Sequence, residues 1–311
     1  MASPYAKYIL GPVEIGVIIT AFLFGCAVIQ TYVYYSRFPE DPRKFKTLVA
    51  AVIAFEFAHL ASTISAFWTI SVIEFGNELV VLPLGGDLAV FFTTPICFTV
   101  QAFFTFRMWR LSNTLLLPLF CLTLSILVFI SGLTLTGAAV GMTNLAEFEQ
   151  TRSWLITSSN VLAAVCDTSI TLGLAYFLKQ KRSLSLTPTA NIIDLLILWT
   201  VETGLVTALT ALLVAICFLT MSSNFIWIGI YAFMGSVYAN SLLAALNGRW
   251  ITRRYDTGDA IQLDQRRSSL VLNPTPIIIS VSQAIEQSSS ETDVKATSQG
   301  HAISSSESID V

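Results

Sequence analysis

The chain reads as all-α, a polytopic membrane protein built as a seven-transmembrane-helix bundle, and three observations predict this. Of its 311 residues, 54% are hydrophobic and 12% charged, with a mean hydropathy of +0.70. Soluble domains carry about 25% charged residues, so a cytosolic enzyme, a nucleic-acid binder and a disordered scaffold all fit poorly. Seven stretches reach the roughly 20 apolar residues that a helix needs to cross about 30 Å of hydrocarbon. Finally, Lys and Arg gather at one end of those stretches, as they do on the cytoplasmic side of membrane proteins.

The first stretch, Val13 to Tyr35, follows a short N-terminal segment, 1–12, and the Gly11-Pro12 break. It is too long for a cleavable signal peptide and has no basic segment before it, so an uncleaved anchor is expected. The Pro39-Glu40-Asp41-Pro42 turn leads to the second stretch, Thr47 to Ile70, and Leu84-Gly85-Gly86 introduces the third, Asp87 to Trp109. The fourth, Thr114 to Gly137, has only Ser and Thr as polar groups and is expected to face lipid. Its Gly137-Ala138-Ala139-Val140-Gly141 ending is a small-xxx-small pattern that suits a helix contact. The fifth, Ser153 to Leu178, is separated by Leu186-Thr187-Pro188 from the sixth, Ile192 to Thr220. The seventh, Phe225 to Asn247, stops at Gly248. Pro95 and Pro118 predict kinks.

Orientation follows from the basic residues. Arg37, Arg43, Lys44, Lys46, Arg107, Arg110, Lys179, Lys181, Arg182, Arg249, Arg253 and Arg254 fall at one end, against Lys7 and Arg152 at the other. The N-terminus is therefore expected outside and the C-terminus in the cytoplasm, with seven crossings spanning 13–254. Trp68, Trp154 and Trp227 near the outer ends, and Tyr34, Tyr35, Trp109 and Trp250 near the inner ends, suit interfacial belts.

Cys26, Cys97, Cys121, Cys166 and Cys217 all fall inside predicted helices, where a cysteine acts as a small packing residue. His59 and His301 are the only histidines, too few for a multi-histidine zinc site. No Gly-rich phosphate loop or Gly-x-Ser-x-Gly elbow occurs, and no second membrane histidine could serve a serine as base. No catalytic residue, metal or cofactor is assigned, and enzyme activity is not expected.

The informative residues are the polar ones at mid-helix, since an Asp at the bilayer centre costs about 2.5–3.5 kcal/mol on insertion scales. Counting from the basic ends places Glu56, Asp167 and Glu202 at similar depths of about 14 to 17 Å. His59 lies one turn outward of Glu56, and Gln101, Tyr238 and Asn240 complete a candidate intramembrane polar cluster. The Glu56–His59 spacing of i, i+3 lets the two share a hydrogen bond or a proton. Three roles fit such a layer: neutral glue bonded to neighbours such as Thr63, Thr171 and Thr203, a pocket for a small-molecule ligand, or a proton or ion path.

Beyond Tyr255 the composition turns to Ser, Gln, Asp and Thr, with twelve serines up to Val311, so 255–311 is expected to be a disordered cytoplasmic tail. Ser269 follows Arg266-Arg267, while Ser288 and Ser304 each have Glu three residues on, which makes the three candidate phosphorylation sites. A kinase or another cytoplasmic signalling partner would act here, adding negative charge near the basic rim. Pro276 to Val281 is an apolar island suited to strand docking.

Phe103 to Ser112, with the form Phe-x-x-x-Arg-x-x-x-Leu-Ser, resembles a segment of a fungal, mushroom-type seven-helix membrane family labelled only as a domain of unknown function. Asp167 to Arg182, Thr203-Gly204-Leu205 and the run from Tyr238 to Asn247 resemble that family's helix 5, helix 6 and helix 7 ending. Glu202 departs from the pattern, where Asn is commoner. The resemblance implies seven helices over about Val13 to Arg254 and no established activity.

The leading functional expectation is a receptor-like sensor with a polar intramembrane pocket, resting on analogy with seven-helix signalling proteins. Departures from the rhodopsin-like pattern are plain: Arg107-Met108-Trp109-Arg110 replaces Asp-Arg-Tyr, and helix 7 has neither Asn-Pro-x-x-Tyr nor a retinal-binding Lys. The alternatives are a small-solute or proton-coupled transporter and a structural membrane protein. The lipid bilayer is the expected partner, and the plasma membrane is the default residence.

Overall fold

The structure is a computed structural model that describes residues 4–74, 83–112, 114–140, 145–183, 187–221 and 224–256. The tail expectations, including Ser269, Ser288 and Ser304, lie outside the described residues. Seven helices follow one another: α1 Pro4–Arg37, α2 Arg43–Trp68, α3 Leu84–Leu111, α4 Leu116–Val140, α5 Leu145–Ser183, α6 Thr187–Thr220 and α7 Ile226–Asp256. Each contains a stretch long and apolar enough to cross a membrane. The chain is thus an all-helical, multi-pass membrane protein across its described residues.

Helix is the form these stretches must take, because hydrocarbon offers nothing to a free N–H or C=O and a helix bonds every interior one to itself. The many Ser and Thr obey the same demand. Thr20, Ser62, Thr63, Thr93, Thr94 and Ser125 each donate a hydroxyl to the carbonyl four residues back. Polar side chains thereby enter the bilayer already bonded.

Several predicted breaks fall inside helices. α1 runs through Gly11-Pro12 and α7 through Gly248. Glycine and proline interrupt helices in water because coil is a hydrated alternative, and in lipid no such alternative exists. Gly85 and Gly86 sit in the first turn of α3, and Pro188 in the first turn of α6, where a missing N–H leaves nothing unsatisfied. Pro118 is likewise in the first turn of α4, so it starts that helix and does not kink its middle. α5 and α6 both begin earlier than expected. The Pro39–Pro42 turn is present, with Phe45 N–H donating to the Pro42 carbonyl at 3.0 Å.

One core draws on all seven helices, with Tyr34, Val49, Met108, Cys121, Leu174, Ala211 and Leu242 among its buried members. Side chains such as Phe22, Tyr32 and Leu116 cover the outside, 69%, 74% and 84% exposed, as suits contact with lipid. α4 buries the smallest share of its span, in keeping with its expected lipid-facing position. Its close contact with α3 is at Gly132, where a Cβ would come within 2.6 Å of Thr94 Oγ1, while a Cβ on Gly137 would meet no other element within 4 Å among the described residues. α1 and α7 meet backbone to backbone: a Cβ on Gly16 would lie 2.6 Å from the Gly229 carbonyl oxygen.

α2 ends in a π-helical turn, Thr69–Ile73, closed by Glu74 N–H donating to the Thr69 carbonyl at 2.8 Å. Phe225, just before α7, adopts φ of 50°, a left-handed conformation uncommon outside glycine, with its ring buried in a small cluster with Val13. Both irregularities lie at the end of the bundle opposite the basic residues.

Candidate functional site

The middle layer is assembled by α7. Tyr238 donates its hydroxyl to Asp167 Oδ2 of α5 at 2.5 Å, and Gln101 Nε2 of α3 donates to Oδ1 at 2.9 Å. All three side chains are buried, with the Thr207 hydroxyl of α6 beside the carboxylate. Two donors on one acid replace part of the hydration that a carboxyl group loses in the bilayer. A void of about 20 Å³ adjoins Asp167, Gln101 and Thr171, enough for one water, and Gln101 Oε1 has no partner there among the described residues.

Glu56 of α2, also buried, accepts a short hydrogen bond from Ser236, half a turn before Tyr238 on α7. The expected Glu56–His59 bond is not formed. Glu56 Oε2 and His59 Nδ1 are both without partners among the described residues, although both residues are buried. Spacing of i, i+3 brings two side chains to one face of a helix without obliging their polar atoms to meet. Here the carboxyl group is taken by α7, and the imidazole lines a cavity on the other side.

Glu202 is a correction: it is exposed on the outside of α6. The residues of α6 that approach Asp167 are Thr203, Gly204 and Thr207. Glu202 precedes Thr207 by five residues, about 140° away around the helix, so a common depth does not give a common face. Close approach of α5 and α6 depends on Gly204, whose missing side chain makes room for Thr171.

Asn240 belongs to a separate seam. Its Nδ2 donates to the Leu23 and Ser236 carbonyls at 2.9 and 2.8 Å, and its Oδ1 accepts from Gln30 Nε2 at 2.7 Å. Asn247 Nδ2 donates to the Gln30 carbonyl at 2.9 Å, and Thr20 donates to the Ala232 carbonyl at 3.0 Å. Together these bonds stitch α1 to α7 over about half of α7, from Ala232 to Asn247.

At the basic end, Arg249 Nη2 of α7 donates to Asp41 Oδ2 at 2.6 Å, and Tyr34 donates to the same oxygen at 3.0 Å. The guanidinium lies 4.8 Å from the Phe38 ring centroid and 5.3 Å from that of Phe45. Sequence reasoning missed this group, as it missed Ser236 and Gln30. Asp41 reads as a turn residue and Arg249 as one of many basic flanks, and nothing in their spacing announces a pair.

A cavity of about 110 Å³ occupies the opposite half, lined among the described residues by side chains from α1, α2, α3, α4, α5 and α7, including His59, Val90, Ala139, Asn160 and Trp227. Ile70, in the π turn, also lines it. A further void of about 40 Å³ shares Leu135, Asn160 and Tyr231 with it.

A family described as a family of unknown function, DUF6534, matches residues 163–251, from the middle of α5 through α6 and most of α7. The match supports a domain of unknown function over a stretch that holds Asp167, Tyr238, Asn240, Asn247 and Arg249. The Phe103–Ser112 segment lies outside it. No curated protein and no solved structure matches the chain.

Proposed function

We propose that the chain is a receptor-like membrane sensor, in which a small molecule held in the upper cavity biases the arrangement of helices at the basic end. The supporting observation is that α7 reaches all three levels. Trp227, Tyr231 and Ala232 line the cavity, Ser236 and Tyr238 hold the acids of α2 and α5, and Arg249 holds Asp41 in the turn between α1 and α2. A ligand that displaces α7 therefore strains bonds at the other two levels. In this reading the N-terminus is outside, the basic end and the Ser-rich tail are cytoplasmic, and the protein resides in the plasma membrane. The tail serines are accessible to kinases, the family is the fungal one that the sequence resembles, and no reaction is catalysed.

The test follows hydrogen exchange in the Pro39–Pro42 turn and at Ser112–Leu115 in nanodiscs, during a screen of small apolar molecules, together with solute and proton uptake by proteoliposomes. Altered exchange without uptake is expected. The buried carboxyl groups Glu56 and Asp167 favour a second reading, a small-solute or proton-coupled transporter. Uptake abolished by Asp167→Asn would establish that reading in place of the first.

A further inference from the structure

The cavity carries its own chemical specification. Its volume of about 110 Å³ is somewhat below the roughly 150 Å³ of an apolar protein cavity that admits benzene, and one side is open, so it takes a single small ring that reaches toward the opening. The lining is almost wholly aliphatic and aromatic, with Val13, Ala66, Ile70, Val90, Ala139 and Ile156 among it. No Lys, Arg, Asp or Glu lines it among the described residues. A charged guest would lose its hydration without a counter-charge, so the guest is neutral.

Among the polar residues of the lining, Thr63, Asn160 and Tyr231 included, two carry a buried atom with no partner among the described residues. His59 is 1% exposed and its Nδ1 has no partner, and Trp227 Nε1 is likewise buried without one. Neither residue has a neighbour that satisfies it: Thr63, one turn from His59, donates its hydroxyl to the His59 carbonyl, and Asn160 donates to the Ile156 carbonyl. An unsatisfied buried N–H or ring nitrogen costs about 1–3 kcal/mol, and a guest that bonds it recovers that cost. The indole N–H only donates, whereas the imidazole nitrogen donates or accepts according to tautomer. A hydroxyl is the neutral group that suits either atom in either state, because it both accepts and donates.

We propose that the cavity between His59 and Trp227 is a binding site for a compact, neutral, largely apolar molecule with one hydroxyl group. This rests on the sensor reading only in naming that sensor's ligand, since the site itself is defined by the cavity.

The experiment uses the full-length protein in nanodiscs and two fluorinated probes of nearly equal size, 4-fluorophenol and fluorobenzene, followed by fluorine NMR against empty nanodiscs. A saturable bound signal is expected for both, with 4-fluorophenol about fivefold tighter, as one net hydrogen bond gives. The double variant His59→Phe, Trp227→Phe should bind the two probes equally. Ala139→Leu and Ala66→Leu each place extra methyl groups in the cavity from different helices, and at least one that purifies as a monodisperse protein should weaken both probes tenfold or more.

The proposal is overturned if the parent gives no saturable signal beyond that of empty nanodiscs, or if it binds the two probes alike. It is also overturned if folded cavity-filling variants bind as the parent does, which would place the probes in lipid or elsewhere on the bundle. Binding with unchanged exchange at the basic end would overturn the sensor reading and leave the site standing. A response at the basic end to another molecule, with no fluorophenol binding, would do the reverse.

Discussion

The Tyr238 hydroxyl and the Asp167 carboxyl group meet at 2.5 Å between α7 and α5, both buried. Gln101 completes the acid's shell from α3, so one carboxyl group joins three helices. Tyr238→Phe leaves Oδ2 short of a donor, and Asp167→Ala strands both the phenol and the amide. Each change should destabilise the bundle by about 1–3 kcal/mol. The double variant should cost less than the two single changes added together, by about 0.6–1.7 kcal/mol, the range of interhelical hydrogen bonds in membranes. Unfolding in mixed detergent micelles measures the cycle, and strict additivity would mean that the two groups do not bond.

Glu202→Gln should be close to silent. The side chain is exposed on α6 and outside the Asp167 group, so stability should stay within about 0.5 kcal/mol of the parent. The same substitution type at Glu56 removes a carboxylate that Ser236 bonds in the interior and should register in the same melting assay. A Glu202→Gln protein as impaired as Glu56→Gln would return Glu202 to the central layer.

This contrast marks how far the sequence could be read. Seven spans and their order were legible, since an apolar run in lipid has no conformation but helix. Helix ends were less so, because Pro12 and Gly248 are breakers only where water offers an alternative. Depth was legible too: Asp167, Gln101 and Tyr238 do share a level and a site. Direction around the helix axis was not. In a soluble protein the polar stripe reveals the outward face, but here lipid and core are equally apolar, and α6 offers no such stripe to place Glu202. Asn240 shares the level yet faces α1, and His59 faces the cavity and not Glu56. Asp41 and Arg249, 208 residues apart, left no trace in spacing.

The α1–α7 crossing should tolerate no side chain. Gly16→Ala and Gly229→Ala each drive a methyl group into backbone, of Gly229 and Pro12 respectively, and backbone yields less readily than a rotatable side chain. Destabilisation of about 1–3 kcal/mol is expected for each. Gly137→Ala, with open space around it, should be neutral or slightly stabilising through helix propensity. Melting temperatures of the three variants in one lipid composition test this, and a Gly137→Ala effect as large as the others would refute the contact assignment.

Arg249 is expected to resist replacement by lysine. Its guanidinium combines an ion pair to Asp41, whose side chain is 5% exposed, with stacking over Phe38 and Phe45, and it donates from Nε to the Leu246 carbonyl at 3.0 Å. Lysine keeps the charge but has neither the planar face for the rings nor the second donor direction for the carbonyl. The cation–π share alone is about 0.5–2 kcal/mol. Arg249→Lys should therefore lose much of what Arg249→Ala loses, and Asp41→Asn, which spares the stacking, should lose less than either. Salt should weaken the parent's link only in part, since the acid is sheltered while the arginine side chain is 31% exposed. Hydrogen exchange in the Pro39–Pro42 turn reads the link directly. Faster exchange in Arg249→Lys and Arg249→Ala, with a smaller rise in Asp41→Asn, is the expected order. Lysine that behaves as the parent would reduce the contact to simple charge attraction.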